Sequence, residues 1–342
     1  MKVLIVGSGV RGGTTLSVCG AFKQVGVKTE FIDSERYFKY FFLNRVFNRF
    51  HKIPKYWGTK KFNDIVIKKT KEFSPDFILF LKPILITPLT VEKLKKITKV
   101  FSWYPDYIRF TKTGSTDFFN SIPLYDCHFS FNFENSKELL KMRAKNSIFL
   151  PCAADPDCHS LLPVSEKEKQ ELGADVIFLG TYAKEKRSDY LEHLCNDGYD
   201  IKIYGNDWGK HPKDSCLWKK GCIQSKALYC SDMSKVFNSG KVILSFVREH
   251  NKDTISCRTY EIPVSGGFML HQRNEKVVEA FKEGEEADFF SSYEEMKGKI
   301  DFYLENDELR KKIAQRGRER TLREGLFIHR VKRIIEVFEE LN

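Results

Sequence analysis

Long apolar runs are absent from this sequence of 342 residues. No uninterrupted run approaches the roughly 20 residues that a membrane-spanning helix requires. Even residues 77–89, which are strongly apolar, contain Lys82 and prolines. The first apolar run, at residues 3–6, stops at Gly7, so the sequence does not resemble a signal peptide. These absences predict a cytoplasmic protein without a transmembrane anchor.

Cysteine pairs of the CxxC type are also absent, although the chain has nine cysteines. Two groups of cysteine and histidine lie close in sequence: Cys152, Cys158 and His159, and then His211, Cys216 and Cys222. Because neither group has zinc-finger spacing, we expect no bound metal. An odd number of cysteines in a chain without an export signal predicts reduced thiols and not a disulfide framework.

The composition is that of a globular protein, with 42% hydrophobic and 30% charged residues and a net charge of +11. Much of this charge lies between Glu35 and Glu72, where lysines and arginines alternate with aromatic residues. Such a stretch is typical of a face that contacts an anionic membrane or a phosphorylated acceptor. It is equally typical of amphipathic helices whose aromatic residues pack inward and whose lysines are solvated. We expect no nucleic-acid partner.

Strands and helices alternate along the first half of the chain. The predicted strands are residues 2–6, 27–32, 76–81, 99–102, 125–129 and 148–150. This alternation predicts a parallel, doubly wound sheet. A proline-rich linker then leads to a new strand at residues 175–179, so we place the domain boundary near residue 165. The predicted domains are residues 1–165 and 166–325, followed by a C-terminal helix at 326–342.

A glycine turn separates the first strand from the first helix. Gly9, Gly12 and Gly13 lie in this turn, where backbone amides suit an anionic ligand. Gly7, Gly9 and Gly12 also match the GxGxxG dinucleotide fingerprint. Asp33, at the end of the second strand, matches the acidic residue of that fingerprint. The turn therefore leaves an alternative open, namely an oxidoreductase that binds NAD or FAD.

Asp106 follows another strand directly, and open α/β sheets place ligand-binding groups at that position. It is the first candidate for contacting or deprotonating an acceptor hydroxyl. A capping role for Asp106 in the next turn is the structural alternative. In the second half, Gly180 and Arg187 lie in a comparable turn after a strand and offer amides and a cation to a diphosphate.

Residues 253–267, which read DTISCRTYEIPVSGG, carry the clearest ligand-binding pattern. We predict one helical turn here, capped by Ser256 and ended by Pro263. Arg258 and Glu261 are three residues apart and share one face of that turn. A carboxylate accepts the hydroxyls of a ribose, and an arginine forks onto a diphosphate.

Glycines follow this turn directly. Ser265, Gly266 and Gly267 allow backbone amides to approach a ligand closely. A surface Arg–Glu pair beside a helix-ending Gly-Gly is the structural alternative for the whole stretch.

From residue 178 onward the chain resembles the CgeB-like glycosyltransferases, relatives of the wider GT-B group. The matching pieces are FLGTYAKEKR, IKIYGNDWG, FNSGKVILSF, SCRTYEIPVSGGFML, FKEGEEADFFSSYEEM and YLENDELRKKIAQRGRER. A weaker similarity covers SPDFILF, VFSWYPD and LPCAADPDCH in the first half. The resemblance implies two Rossmann-like domains facing a cleft, with the final helix crossing back onto the first domain.

The resemblance also implies a function, a hexosyltransferase of cell-surface glycan biosynthesis. A nucleotide sugar would be the donor, a glycan, a lipid-linked saccharide or a protein the acceptor, and no cofactor or metal ion would be needed. The glutamate that matches Glu261 holds the donor ribose in GT-B enzymes. Many retaining members carry a second glutamate eight positions earlier, where this chain has Asp253. Asp253 and Asp106 are therefore the acidic candidates for catalysis.

Loss of turnover is a further alternative that the departure at Asp253 keeps open. In that case the chain is a binding protein that retains the fold and still binds nucleotide sugars.

Overall fold

The computed structural model describes residues 1–37, 56–109, 115–224, 227–249, 251–252 and 254–342. The chain forms two compact units. Unit 1 contains residues 1–152, a short segment that includes Asn251 and Lys252, and residues 327–342. Unit 2 contains residues 153–249 and 254–326.

Unit 1 is built on a six-stranded parallel sheet with the strand order β2-β1-β3-β4-β5-β6. Its strands are β1 Lys2–Gly7, β2 Lys28–Asp33, β3 Phe77–Leu81, β4 Lys99–Tyr104, β5 Cys127–Ser130 and β6 Ser147–Phe149. Every residue of β3 and β5 is buried, as expected for central strands that helices cover on both faces. The doubly wound sheet predicted for the first half is confirmed.

The described helices between these strands are α1 Thr14–Gln24, α2 Tyr56–Phe73, α3 Pro88–Lys95, α4 Thr116–Ser121 and α5 Phe133–Lys141. Helix α2 carries part of the basic, aromatic stretch. Its Phe62, Val66 and Phe73 are buried, whereas Lys60 and Lys68 are exposed, which is the pattern of an amphipathic helix. Residues 38–55, which hold most of the aromatic residues of that stretch, lie outside the described part of the chain.

Unit 2 contains a five-stranded parallel sheet with the order β11-β10-β9-β7-β8. Its strands are β7 Val176–Leu179, β8 Ile201–Tyr204, β9 Val242–Ser245, β10 Met269–Gln272 and β11 Asp288–Phe290. The helices are α6 Glu166–Leu172, α7 Lys186–Asn196, α8 Cys216–Lys219, α9 Ser231–Ser239, α10 Arg258–Val264, α11 Glu275–Ala280, α12 Tyr293–Glu305 and α13 Asp307–Glu324. The second doubly wound sheet is thus confirmed.

The C-terminal helix, α14 Phe327–Glu340, belongs to unit 1 and contacts α1. The ring of Phe338 lies 5.0 Å from that of Phe77 and 6.4 Å from that of Phe101. Lys99 Nζ donates to the carbonyl oxygen of Leu341 at 2.9 Å. The predicted return of this helix to the first domain is confirmed.

The expectation that all cysteines are reduced is wrong for this structure. Disulfides join Cys158 to Cys230 and Cys195 to Cys216. The first pair is separated by 72 residues in sequence, so only the fold brings its two thiols together. Sequence spacing therefore gave no indication of the pairing.

A buried histidine makes unit 1 sensitive to acid. His128 Nδ1 accepts from Ser102 Oγ at 2.5 Å, and Nε2 donates to the carbonyl oxygen of Ile122 at 2.9 Å. Burial lowers the pKa of His128 to about 4. The unfolded chain therefore binds a proton near pH 6.5, while the folded chain does not. We expect the free energy of unfolding to fall between pH 6.5 and about 4, by roughly 3 kcal/mol from this residue.

Urea unfolding at pH 7 and pH 5 measures this dependence. His128→Gln should reduce the difference in unfolding free energy between the two pH values. His193→Gln, at an exposed position, should leave it unchanged. An equal pH dependence in wild type and His128→Gln would contradict this assignment.

Candidate active site

The helix that carries Arg258 and Glu261, α10, starts after Cys257 and is held by side chains on its buried side. The backbone N–H of Ser256 donates to Thr259 Oγ1 at 3.2 Å. Thr259 Oγ1 in turn contacts His271 Nε2 at 3.1 Å, and His271 Nδ1 donates to the carbonyl oxygen of Gln272 at 2.6 Å. Burial lowers the pKa of His271 to about 4, so the ring is neutral and its Nε2 accepts the threonine proton.

Ser256 does not cap the helix as predicted. Its Oγ is buried and has no hydrogen-bond partner in the part of the chain that the structure describes. Cys257, the residue at the start of the helix, makes no capping hydrogen bond with its side chain either, and the Thr259 hydroxyl accepts from the Ser256 amide instead.

The end of α10 also differs from the prediction. The helix runs through Pro263 to Val264, because proline removes only one amide donor and the helix ends within the next turn. Gly266, with φ +86°, ends it: the N–H of Gly266 donates to Pro263 O at 2.8 Å, and that of Gly267 donates to Ile262 O at 3.1 Å. These bonds are typical of a glycine-terminated helix.

The serine and glycines predicted to approach a ligand therefore have structural contacts. Ser265 is fully buried, and its Oγ donates to Ser234 Oγ at 3.1 Å. A Cβ on Gly266 would lie 2.6 Å from Leu161 Cδ1. The N–H groups of Gly266 and Gly267 are already bonded to helix carbonyls, so they close the helix in this structure.

Arg258 and Glu261 form the ion pair that their spacing predicts. Arg258 Nη1 contacts Glu261 Oε2, and Arg258 Nε donates to Leu179 O at 3.2 Å. Leu179 is the last residue of β7, so the guanidinium fixes α10 to the carboxyl end of that strand. The Arg258 side chain is 30% exposed and that of Glu261 is 10% exposed. The pair thus combines a held carboxylate with a cation that still reaches solvent.

Gly180 lies directly after Leu179, where two turns approach each other closely. Its N–H donates to Tyr204 O at 2.9 Å, and its carbonyl oxygen accepts from Trp208 Nε1 at 2.9 Å. Gly205, with φ +136°, packs against it, and a Cβ there would lie 2.2 Å from Gly180 O. Gly180 thus connects the turns after β7 and β8 through these hydrogen bonds.

Arg187, the second residue of α7, is buried and stabilises the turn that precedes it. Its Nη2 donates to Thr181 O at 2.9 Å, and its Nε lies 3.4 Å from Glu185 Oε2. A pocket at the carboxyl end of the sheet begins here. Its lining includes Glu185, Lys186, Arg187, Phe246, Gln272 and Phe290. The pocket lies where ligands bind in open α/β sheets.

His159, which the sequence pattern offered only as part of a cysteine and histidine group, lies near Glu261. Its Nε2 lies 3.7 Å from Glu261 Oε1, and both residues are buried. Burial lowers the pKa of His159, while the nearby Glu261 carboxylate opposes that shift. The two residues are far apart in sequence, so no local pattern indicated their contact.

The glycine turn of unit 1 is closed by its own hydrogen bonds. Gly9 N–H donates to Asp33 Oδ1 at 2.8 Å, and Gly13 N–H donates to Val10 O at 2.9 Å. Gly12 has φ +71°, a conformation that favours glycine. The acidic residue of the dinucleotide fingerprint therefore holds the glycine turn itself.

Asp106 lies after β4, as predicted, and its carboxylate is paired. Lys82 Nζ lies 2.6 Å from Asp106 Oδ2. Asn135 Nδ2 donates to the main-chain oxygen of Asp106 at 2.5 Å. The structure therefore places a lysine beside the candidate base.

Asp253 lies outside the described residues, but the chain just before it is anchored within unit 1. Asn132 Nδ2 donates to the carbonyl oxygens of Asn251 and Lys252, each at 2.7 Å. The N–H of Tyr107 donates to Asn251 Oδ1 at 2.7 Å.

The described ranges contain no group of three or more histidine, cysteine or acidic side chains arranged to hold a metal ion. Within the same ranges, no helix combines the length and hydropathy of a membrane span.

The fold is that of the GT-B glycosyltransferases. A glycosyltransferase from Rickettsia africae superposes with a TM-score of 0.66 and 14% identity, covering 99% of this chain and 98% of the other. HepE from Anabaena, in complex with UDP-glucose, superposes with a TM-score of 0.65 and 12% identity. The match covers 99% of this chain and 100% of HepE. Sucrose-phosphate synthase from Thermosynechococcus elongatus superposes with a TM-score of 0.65 and 9% identity. The match covers 100% of this chain and 99% of the synthase.

The sequence comparison adds a family. Residues 186–336 match the family described as glycosyl transferase-like. No curated protein matches the chain in sequence. The chain thus has the GT-B fold, and its residues 186–336 are similar to the glycosyl transferase-like family. The resemblance drawn from the sequence is confirmed.

Proposed function

We propose that this protein transfers a sugar from a nucleoside-diphosphate donor to an acceptor hydroxyl. The acceptor oxygen forms a bond to the anomeric carbon, and the bond from that carbon to the diphosphate breaks. The nucleoside diphosphate leaves, and the acceptor proton passes to a base or to solvent. The family match in residues 186–336, which include Arg258 and Glu261, supports this reaction.

The arrangement around Glu261 is the observation that carries the proposal. Its carboxylate is buried and fixed by Arg258, whose guanidinium is itself held by Leu179 O. A fixed carboxylate accepts hydrogen bonds from a ribose without reorganising. The partly exposed Arg258 supplies positive charge for the diphosphate that departs.

UDP is the nucleotide to test first, because HepE, which has the same fold, was crystallised with UDP-glucose and with UDP. We assign the donor side to Gly180, Arg187, Arg258 and Glu261. Asp106 and Asp253 remain the proposed acidic groups for the acceptor and sugar. The acceptor class, glycan, lipid-linked saccharide or protein, stays a proposal, as does catalysis without a metal ion.

Thermal denaturation with added nucleotides tests the proposal. A ligand at about 100 times its dissociation constant adds about 2.7 kcal/mol to the free energy of unfolding. We therefore expect UDP to raise the melting temperature, and NAD or FAD to leave it unchanged. The UDP effect should persist in excess EDTA, because cationic side chains replace a metal in this proposal.

Each other outcome has a distinct meaning. Stabilisation by NAD, or a purified protein that carries flavin, would overturn the proposal in favour of an oxidoreductase. Stabilisation by UDP that disappears in EDTA and returns with Mn²⁺ would contradict the metal-free donor site. Binding of UDP-sugars without either transfer or slow hydrolysis would identify a binding protein that has lost turnover.

A further inference from the structure

Helix α2 carries part of the basic stretch, and the structure shows which of its lysines reach solvent. Residues 59–73 include five lysines and two acidic residues, so this part of the helix has a net charge of +3. Its five lysines are all exposed: Lys60, Lys61, Lys68, Lys69 and Lys71. The opposite side of the helix is buried in unit 1. The positive charge of α2 is therefore presented to solvent on one side.

Three of these lysines surround one shallow depression in the surface of unit 1. Its lining includes Lys60, Lys61, Asp64, Ile65 and Lys68. Lys60 and Lys61 form no ion pair with a carboxylate in the described ranges, and Lys68 lies 3.7 Å from Glu72 with its side chain 75% exposed. Neighbouring cations repel one another, so the depression favours an anionic partner.

The depression lies near the carboxyl end of the unit 1 sheet. Because α2 ends at Phe73 and β3 begins at Phe77, the end of the helix lies at the amino end of the sheet. The first turns of α2 therefore lie toward the carboxyl end. In agreement, Asn63 Nδ2 donates to Leu85 O at 2.8 Å, and Thr87 N–H donates to Asn63 Oδ1 at 3.0 Å. Open α/β sheets bind their ligands at this end.

An exposed leucine lies at the same edge of unit 1. Thr87, which contacts Asn63 of α2, is also the residue that caps the start of α3. Leu89, in the first turn of α3, is 59% exposed. This edge thus combines solvated lysines with an apolar side chain, which is how many peripheral proteins contact lipid headgroups.

The kind of residue on α2 favours a lipid surface over a nucleic acid or one phosphate group. Residues 59–73 contain no arginine, the residue that forks onto a single phosphate. The aromatic residues of the same range, Phe62 and Phe73, are buried and cannot stack on bases. A lysine is a point charge on a flexible stem, which suits a plane of many anionic headgroups.

We propose that the α2 surface, defined by Lys60, Lys61, Lys68 and Leu89, contacts the anionic face of a membrane. Each lysine near the headgroups strengthens binding about fivefold, and the carboxylate of Asp64 opposes it. This contact does not depend on the proposed reaction. Its consequence for the acceptor does rest on that reaction: the surface would bring lipid-linked acceptors to the sheet edge that carries Asp106.

Sedimentation of the full-length protein with vesicles measures the contact. We expect binding to vesicles of phosphatidylcholine mixed with phosphatidylglycerol, and none to vesicles of phosphatidylcholine alone. Binding should weaken between about 0.1 M and about 1 M salt, because the Debye length falls from about 10 Å to about 3 Å. A protein that does not bind the anionic vesicles at low salt would overturn the proposal.

A double substitution locates the contact on α2. Lys60→Gln together with Lys61→Gln should weaken vesicle binding by about 25-fold, because each lysine contributes about fivefold. The matched control is Lys312→Gln together with Lys332→Gln, which removes the same charge at two exposed positions. The control should bind nearly as well as wild type. Equal weakening in both double variants would show that net charge alone attracts the protein, and would overturn the α2 surface.

A substitution that should strengthen binding excludes loss of folding as the cause. Asp64→Asn removes the carboxylate from the depression and should tighten vesicle binding by up to about fivefold. Asp214→Asn makes the same charge change at an exposed position of unit 2 and should have little effect. An equal gain in both variants would contradict the proposed surface.

Two further measurements separate this inference from other assignments. Tighter binding to polyuridylate than to anionic vesicles, at the same phosphate concentration, would reassign the surface to nucleic acid and overturn the lipid contact. Calorimetric titration with UDP tests the donor site independently. A wild-type protein that binds anionic vesicles but not UDP would overturn the proposed UDP donor and leave the membrane contact standing.

Discussion

Replacing Glu261 with alanine should weaken UDP binding by roughly 1.5 to 3 kcal/mol, the range for hydrogen bonds to a charged group. The alanine removes the acceptor for the ribose hydroxyls. It also releases Arg258, whose side chain is 30% exposed and still donates to Leu179 O. Because solvent reaches that cation, we expect the variant to fold. Titration calorimetry with UDP measures the loss of affinity, and the melting temperature without ligand measures the fold.

Two further variants make this result specific. Glu261→Gln keeps the size of the side chain and removes its charge, so it should also bind UDP more weakly than wild type. Glu275→Ala removes a glutamate whose side chain is 75% exposed, and its UDP affinity should not change. Wild-type affinity in a folded Glu261→Ala variant would remove Glu261 from the donor site.

A chain that ends at Leu326 should fail to form unit 1. It lacks α14, whose Phe327, Val331, Ile334 and Val337 are each at most 5% exposed. Truncating one such side chain costs roughly 2 to 5 kcal/mol, and whole domains are stable by only about 5 to 15 kcal/mol. Circular dichroism and solubility of the truncated chain measure the outcome.

A point substitution tests the same contact without removing the helix. Ile334→Ala should lower the free energy of unfolding by roughly 2 to 5 kcal/mol. Lys332→Ala, on the exposed face of α14, should change it by less than about 0.5 kcal/mol. A truncated chain with a native spectrum and a normal melting temperature would show that α14 contributes little to unit 1.

The sequence predicted the two sheets well, because their strands are continuous apolar runs. Phe77–Leu81 and Val242–Ser245 are fully buried and could occupy only the centre of a covered sheet. In α14 the spacing of the apolar residues likewise predicts a buried stripe, made of Phe327, Val331, Ile334, Ile335, Phe338 and Leu341. Its inner face includes Val337, which the predicted stripe omitted, because packing against the sheet and α1 selects the exact side of the helix.

The predictions from local sequence were wrong at both ends of α10 and for the cysteines. Ser256 had the right chemistry for a cap, but Thr259 bonds its amide, and Thr259 is oriented by His271 from β10. Pro263 was expected to end α10, but Gly266 ends it one turn later. The pairing of Cys158 with Cys230 depends entirely on tertiary structure.

The candidate site also contains one contact that the sequence predicts and one that depends on tertiary structure. The contact between Arg258 and Glu261 follows from a helical spacing of three, so the sequence was sufficient to predict it. The contact between His159 and Glu261 depends on how the segment before α6 lies against α9 and α10, which no sequence spacing expresses. The role assigned to Arg258 and Glu261 is a prediction for the nucleotide titrations.

The division of the chain into units determines how this protein can be recombined with its relatives. Unit 1 is assembled from the N-terminal 152 residues, the segment that includes Asn251 and Lys252, and residues 327–342. A chimera that exchanged everything after residue 152 would therefore replace α14, whose Phe338 contacts Phe77 and Phe101. It would also replace the segment that Asn132 anchors. A graft that respects the fold transfers residues 153–249 and 254–326 and leaves both of those pieces with their original sheet.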